Sequence, residues 1–398
     1  MTEHLPTQAA GRRTALIVGA GIAGLATALF LHRIGWHSII LERAPARRSG
    51  GYLVAFFGIG YDAAERLGIL AELRQRNLDP FQLRYVKADG THHFSVPSSA
   101  IRDLIGPRQL TLLRGDLEEV LHHAVRDHAD IRHGTTVESV TQTEDTVAAH
   151  LSDGTVVEAD LLVGADGLHS QVRRLVFGPE EEFRVDLNHI VTAFTLDRHP
   201  AQIPPQTSTT LTTIGHTVTV TSLGPHRTAA FLVHRTTTPA ADLAKGPAVA
   251  VDDAFADLAW ILPDLRAHLR QAGSAYFDSV SQIVLDRWSI GRVVLVGDAA
   301  WCVTLFGGYG ASLAVGGADL LASALDHPAT DISTALRAWE SRLRPTVLRR
   351  QQIGRRNTAA HAPANRLRLA TRNLVMRLAA LPPTRHLLRR HLDLHPDD

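Results

Sequence analysis

The stretch that decides the fold runs from Thr14 to Glu42, TALIVGAGIAGLATALFLHRIGWHSIILE. Thr14 to Gly19 reads as a buried strand, Ile22 to Ile34 as a helix closed by Gly35, and His37 to Glu42 as a second apolar strand, together a βαβ unit of about 30 residues. Where the first strand turns into the helix, Gly19-Ala20-Gly21-Ile22-Ala23-Gly24 fits G-x-G-x-x-G. Gly19 permits the tight turn, Gly21 lets the backbone approach a pyrophosphate, and Gly24, next to Ala23, lets helix and strand pack closely, while the helix N-terminus attracts the anion. Glu42 ends the second strand, with Arg43 behind it, at the place where a carboxylate accepts hydrogen bonds from ribose hydroxyls. The unit predicts dinucleotide binding.

Working outward, the 398 residues are 45% apolar and nearly balanced in charge, with 41 basic against 40 acidic residues, which excludes disordered and collagen-like chains and suggests two or three lobes. The single cysteine, Cys302, excludes an internal disulfide and a multi-cysteine metal site, and points to a reducing, cytoplasmic setting. Arg12-Arg13 before an apolar run imitates an export signal. Gly19, Gly21 and Gly24 interrupt that run and His32 and Arg33 end it, so neither a leader nor a membrane span is expected, only a short extension up to about Gly11. Lys87 and Lys245 are the only lysines, and from Arg337 onward 14 arginines face four acidic residues. No DNA-binding motif or aromatic interleaving accompanies them, so the tail reads as a solvated arginine-rich face with no nucleic-acid partner.

Val137 to Val163 alternates around polar turns like a β-meander and runs into Leu161 to Gly164, an apolar strand followed by Asp166-Gly167. Val185 to Arg235, rich in Thr and Val, predicts a second, largely antiparallel sheet. Asp252 to Leu269 is a candidate helix broken at Pro263, Arg292 to Val296 a buried strand, and Ser312 to Leu325 a helix. Residues 333–391 read as mainly helical with breaks near Pro345, Pro363 and Pro382-Pro383, and Leu367, Thr371, Leu374, Leu378 and Leu381 fall on one helical face.

Three separated motifs then converge. Beside the glycine fingerprint stand Asp166-Gly167-Leu168-His169-Ser170-Gln171-Val172-Arg173, fitting D-G-x-x-S-x-V-R, and Gly297-Asp298-Ala299-Ala300 after the strand at 292–296. Their order and spacing resemble the FAD-dependent monooxygenases of the p-hydroxybenzoate hydroxylase type, which include aromatic hydroxylases, polyketide-tailoring oxygenases and tetracycline-inactivating enzymes. The resemblance implies an α/β fold: a Rossmann-like FAD-binding (GR2-type) domain from 12–76, 106–182 and 287–335, interleaved with a mainly antiparallel substrate sheet from 77–105 and 183–286, and a C-terminal helical segment at 336–398. By the same resemblance Gly19, Gly21 and Gly24 hold the FAD pyrophosphate and Glu42 its ribose. Arg114 reaches the flavin side, Asp166 serves FAD and NAD(P)H, Asp298 binds the ribityl chain, and the loop with Gly308 and Gly310 offers N–H groups to the isoalloxazine.

The implied chemistry is the cofactor's: NAD(P)H, bound transiently, reduces FAD, and a flavin C4a-(hydro)peroxide formed with O2 hydroxylates or epoxidises an aromatic, polyketide or similar apolar molecule, in natural-product biosynthesis. No metal is required. Two positions depart from the family pattern: Trp301 stands where His is common and Leu305 where Pro is common, which frees a backbone dihedral in the flavin loop. That loss keeps open a flavin reductase or dehydrogenase, or a non-redox protein with structural FAD that binds or reshapes a ligand. On the substrate side, the inward residues of the second sheet are expected to include Tyr85, His92, Phe94, His216, Phe231 and His234. Tyr52, His216 and His234 are the candidates for contact with the substrate.

Overall fold

The computed structural model describes residues 12–47, 52–225, 227–271, 275–327 and 331–381. The strand Thr14–Val18 lies wholly buried within a six-stranded sheet. Ser289–Ile290, Val293–Leu295, Leu161–Gly164, Thr14–Val18, His37–Glu42 and Ala129–His133 stand side by side in that order. Only the first pair is antiparallel. The helix Ile22–Arg33 packs against the helix Gly310–Leu325, and such covering explains why the central strands read as unbroken apolar runs. The expected meander is present as Val137–Gln142, Val147–Leu151 and Val156–Ala159, an antiparallel three-stranded sheet whose chain continues into the parallel strand Leu161–Gly164.

A second sheet of seven strands takes its members from two separated stretches of chain, in the order Tyr276–Ile283, Arg184–Leu196, Thr228–Arg235, His216–Ser222, Thr207–Thr213, Gln82–Val86, His92–Val96. Its outer face carries Phe194, Leu211, Val218 and Leu232 into a core with Phe255, Leu262 and Leu265 from the helical segment that covers it. On its inner face Phe94, Tyr85, Thr210, Thr219, Phe231, Ala193 and Tyr276 form one row across all seven strands. The row meets the 303–310 loop at Phe306, which is buried with Val191, Val233 and Val280.

Proline behaves differently from expectation at two places. Pro263 breaks nothing. The helices Pro247–Ala254 and Leu262–Gln271 are separated before it, and Pro263 sits in the first turn of the second, where no N–H is needed. Pro345 lies inside the 30-residue helix Ile332–His361. An internal proline costs about 3 kcal/mol, and here Trp339, Leu343 and Val347 are buried on either side of it and hold the helix to the body. The break near Pro363 is present; Pro382-Pro383 and the extension before Gly11 lie outside the described residues. The last helix, Arg366–Ala379, turns its leucine stripe outward, with Leu367 76% and Leu374 57% exposed. Met376 and Leu369 are on its inward side, against Tyr85 and Phe94. Among the described residues no helix is long and apolar enough to cross a membrane, and no cluster of metal-ligating side chains occurs.

Candidate functional site

The strand Thr14–Val18 hands over to its helix through Gly19, whose φ of +107° a side chain would rarely tolerate. A Cβ at Gly24 would stand 1.9 Å from the Gly19 carbonyl oxygen, so this glycine lets helix and turn touch. Gly21 is different. A Cβ there would meet nothing nearer than the Arg114 guanidinium at 3.8 Å, so its bareness serves no packing inside the chain and leaves the backbone open to approach. Glu42 accepts the N–H of Ala20 at 3.0 Å and of Ala44 at 2.9 Å, fixing the glycine turn while keeping a lone pair on each oxygen. Ala23 stands at the same crossing, where a Cβ on Gly297 would press on it at 2.7 Å. Arg43 is exposed.

From Gly21 the open surface leads past Arg114, which is ion-paired with Glu118 at 3.0 Å and donates its backbone N–H to the Tyr52 carbonyl. Across from it Asp298 lies deep in the molecule, its carboxyl pushed up by burial and held back by Arg114, yet its side chain is solvent-accessible. A deep group with accessible surface lines a crevice. Gly310 lies beside it, a Cβ there standing 3.9 Å from the Asp298 oxygen, and Gly308 adopts a left-handed turn at φ +60°. Tyr52 is also deep, its phenol raised by burial, and it senses Arg114, Asp298 and Cys302. The crevice therefore joins Gly21, Arg114, Asp298, the 307–310 loop and Tyr52. The bare backbone at one end and the glycine loop at the other fit an extended dinucleotide such as FAD.

Asp166 is turned toward its own helix. Its carboxylate accepts Ser170 Oγ and the N–H groups of Gln171 and Val172, capping Gln171–Val176. The motif's last residue, Arg173, has the larger structural part. Fully buried, it donates to the carbonyls of Ala299 at 2.9 Å and Leu168 at 2.6 Å and pairs with Glu180 at 2.9 Å, tying the Asp166 turn to the helix that begins at Asp298. His169, also of the motif, bridges Glu180 and Asp278 of the second sheet.

The departures in the flavin loop have separate explanations. Trp301 faces the core, packed with Trp288 and Trp339 at ring separations of 4.7 and 5.8 Å. Leu305 opens a short 3-10 turn and packs against the cluster of Val191, Val233, Val280 and Phe306. Hydrogen bonds from outside and within the loop restrain it in place of the proline. Asn357 of the long helix donates to the Phe306 carbonyl at 3.0 Å, Gln282 to that of Val303 at 3.3 Å, and the Thr304 hydroxyl, on a residue with φ +72°, accepts the Phe306 N–H. Asn357→Ala is expected to raise amide hydrogen exchange at 303–308 about fivefold or more while distant amides are unmoved, as loss of one hydrogen bond of about 1 kcal/mol implies. Cys302 is buried, burial raising its thiol well above the ordinary value, so it stays protonated.

On the second sheet Tyr85, Phe94 and Phe231 face inward as expected, and Tyr276, which no local pattern singles out, joins Tyr52 at a ring separation of 5.2 Å. His216 and His234 are on the other face. Both pack on Phe255, at 5.2 and 5.9 Å, and His234 faces Asp242 at 3.6 Å. Neither meets the crevice. His92 is exposed and bonded to Ser95. Burial holds His234 down at about 4, so it is neutral when folded and takes a proton more readily when unfolded. Its contribution is complete above the unfolded value near 6.5 and is lost as pH falls toward 4. Between pH 7 and 4.5, His234→Gln is expected to lose about 2 to 3 kcal/mol less stability than the wild type in urea titrations.

The FAD binding domain family matches residues 12–336. A flavin-dependent monooxygenase from an unknown prokaryotic organism is 30% identical over 89% of this chain and 89% of its own. An uncharacterised protein of Mycobacterium tuberculosis is 31% identical over 88% of this chain and 95% of its own. The solved structure of the tetracycline destructase Tet(51) superposes with a TM-score of 0.81 at 26% identity, covering 93% of this chain and 97% of that one. With the crevice and the three motifs, these likenesses place the chain in the FAD-binding-domain family, among the flavin-dependent monooxygenases of the p-hydroxybenzoate hydroxylase type.

Proposed function

We propose that the protein uses NAD(P)H and O2 to insert one oxygen atom into an aromatic, polyketide or similar apolar small molecule, in natural-product metabolism. The observation that carries this reading is the meeting of Arg114, Tyr52, Asp298 and Gly310 close to the inner face of the seven-stranded sheet, where Phe231, Tyr276, Leu305 and Phe306 offer an apolar surface. When bound, FAD supplies electron transfer and oxygen activation. Gly21 and the N-terminus of Ile22–Arg33 hold its pyrophosphate, Glu42 its adenosine ribose, Asp298 its ribityl chain, and the backbone at 307–310 the ring.

The chain's own part is to bind, orient and exclude water. Burial raises the phenols of Tyr52 and Tyr276, so both remain donors at neutral pH and orient a phenolic or enolic oxygen of the substrate. The apolar wall keeps water from the reacting carbon. Hydrogen bonds to Val303 and Phe306 steady the loop that lacks proline, which supports the oxygenase reading over a reductase. Turnover under isotopically labelled dioxygen tests the reading: one labelled atom in the product for each NAD(P)H consumed is expected, and NAD(P)H oxidation with no label in any product would overturn it.

A further inference from the structure

Between the last helix and the inner face of the seven-stranded sheet lies a cavity of about 180 Å³, lined by Tyr85, Phe94, Thr210, Thr212, Arg372 and Asn373. Its other lining residues include Lys87, one of only two lysines in the chain, and His93, and no Asp or Glu contributes to it. Arg372 is set deep there. Its guanidinium lies 5.4 Å from the centre of the Tyr85 ring, and its polar contact is the Asn373 amide oxygen at 3.3 Å. Among the described residues no carboxylate pairs with it. A buried guanidinium without a counter-charge is costly, and burial here works against its charge, pulling it below the ordinary value. A chain that spends a deep arginine this way, in a cavity whose charged groups are all basic, presents a site for an anion. The planar fork of arginine matches a carboxylate in two parallel hydrogen bonds, and the stacked rings of Tyr85 and Phe94, 4.4 Å apart, flank it with a flat aromatic surface.

The cavity and the proposed oxygenation site lie on the same inner face of the sheet. Tyr85 and Phe231 stand in the same row with Thr210 and Thr219 between them, three strand spacings or about 14 Å apart. His361, packed against Phe306 at a ring separation of 4.0 Å, senses the charge of Arg372, so the guanidinium lies within electrostatic reach of the loop that carries Phe306.

We propose that this cavity is the distal end of the substrate site and that Arg372 binds there the carboxylate of an elongated aromatic substrate, whose reacting carbon lies near Phe231. The inference rests on the oxygenase reading and adds the substrate's charge and reach to it. Binding of 2-naphthoate and its neutral carboxamide to the FAD-loaded protein, followed by ligand fluorescence, tests it. The wild type is expected to prefer the carboxylate about ten- to hundredfold. Arg372→Gln abolishes that preference while retaining FAD, and Arg372→Lys, which keeps the charge without the fork, restores only part of it. Equal binding of the two probes by the wild type, no binding of the carboxylate, or an undiminished preference in Arg372→Gln would each overturn the proposal and leave the oxygenase reading intact. An Arg372-dependent preference in a protein that never transfers labelled oxygen would overturn the oxygenase reading and keep the carboxylate site.

Discussion

Gly24→Ala is expected to unfold at markedly lower denaturant concentration than the wild type and to purify with little FAD, whereas Gly21→Ala keeps its stability and loses FAD affinity. The two glycines belong to one fingerprint and differ in what surrounds them. At Gly24 the added carbon meets a backbone carbonyl at 1.9 Å, and neither turn nor helix can retreat without opening the core behind Ile17. Overpacking of this kind costs about 3 kcal/mol or more. At Gly21 the backbone is extended, with φ −82°, and its nearest neighbour would be the mobile end of Arg114. Alanine fits there within about 0.5 kcal/mol in the absence of ligand. It fills only the space the pyrophosphate needs, so FAD binding falls tenfold or more. Urea unfolding of the apoproteins and FAD titration separate the two effects. Wild-type FAD affinity in Gly21→Ala would sink the assignment of its open face to the cofactor.

Arg173→Met should destabilise the protein by about 3 to 5 kcal/mol, the usual consequence of removing one partner from a buried charge network. The carbonyls of Ala299 and Leu168 lose their donor. Glu180 keeps Arg184 and His169 but loses its most buried partner. Burial alone would raise the Glu180 carboxyl, and these partners outweigh it and hold the group below its ordinary value. Because Arg173 joins the turn at Asp166 to the helix beginning at Asp298, FAD release should accelerate alongside the loss of stability. An unfolding free energy within about 1 kcal/mol of wild type would show that the network is replaceable.

The glycine turn, the strands around it and the Asp298 loop were legible because each is local: a tight turn, a helix start and an apolar run are written within a few consecutive residues. The faces of the second sheet were not. His216, His234 and Phe231 occupy strands of the same composition, and which parity faces the crevice is fixed by Phe255 and its neighbours, at positions far along the chain. Pro345 misleads for a related reason, since burial of Trp339 and Val347 outweighs a local helix penalty. The leucines of the last helix share one face in the sequence, but only the structure shows that Arg372 turns inward and Leu367 and Leu374 stay exposed. Tyr276 and Asn357 carry no motif at all, and only the folded chain brings them to the crevice and its loop.

The aromatic triad behind the flavin loop has an optical consequence. Trp288, Trp301 and Trp339 are three of the five tryptophans in the chain, and Trp301 belongs to the short helix that Asp298 begins. Indole emission overlaps the absorption of an oxidised flavin, so most of the protein's ultraviolet fluorescence arises within energy-transfer range of the bound ring. The light emitted by this protein is thus a built-in gauge of how many molecules carry their cofactor.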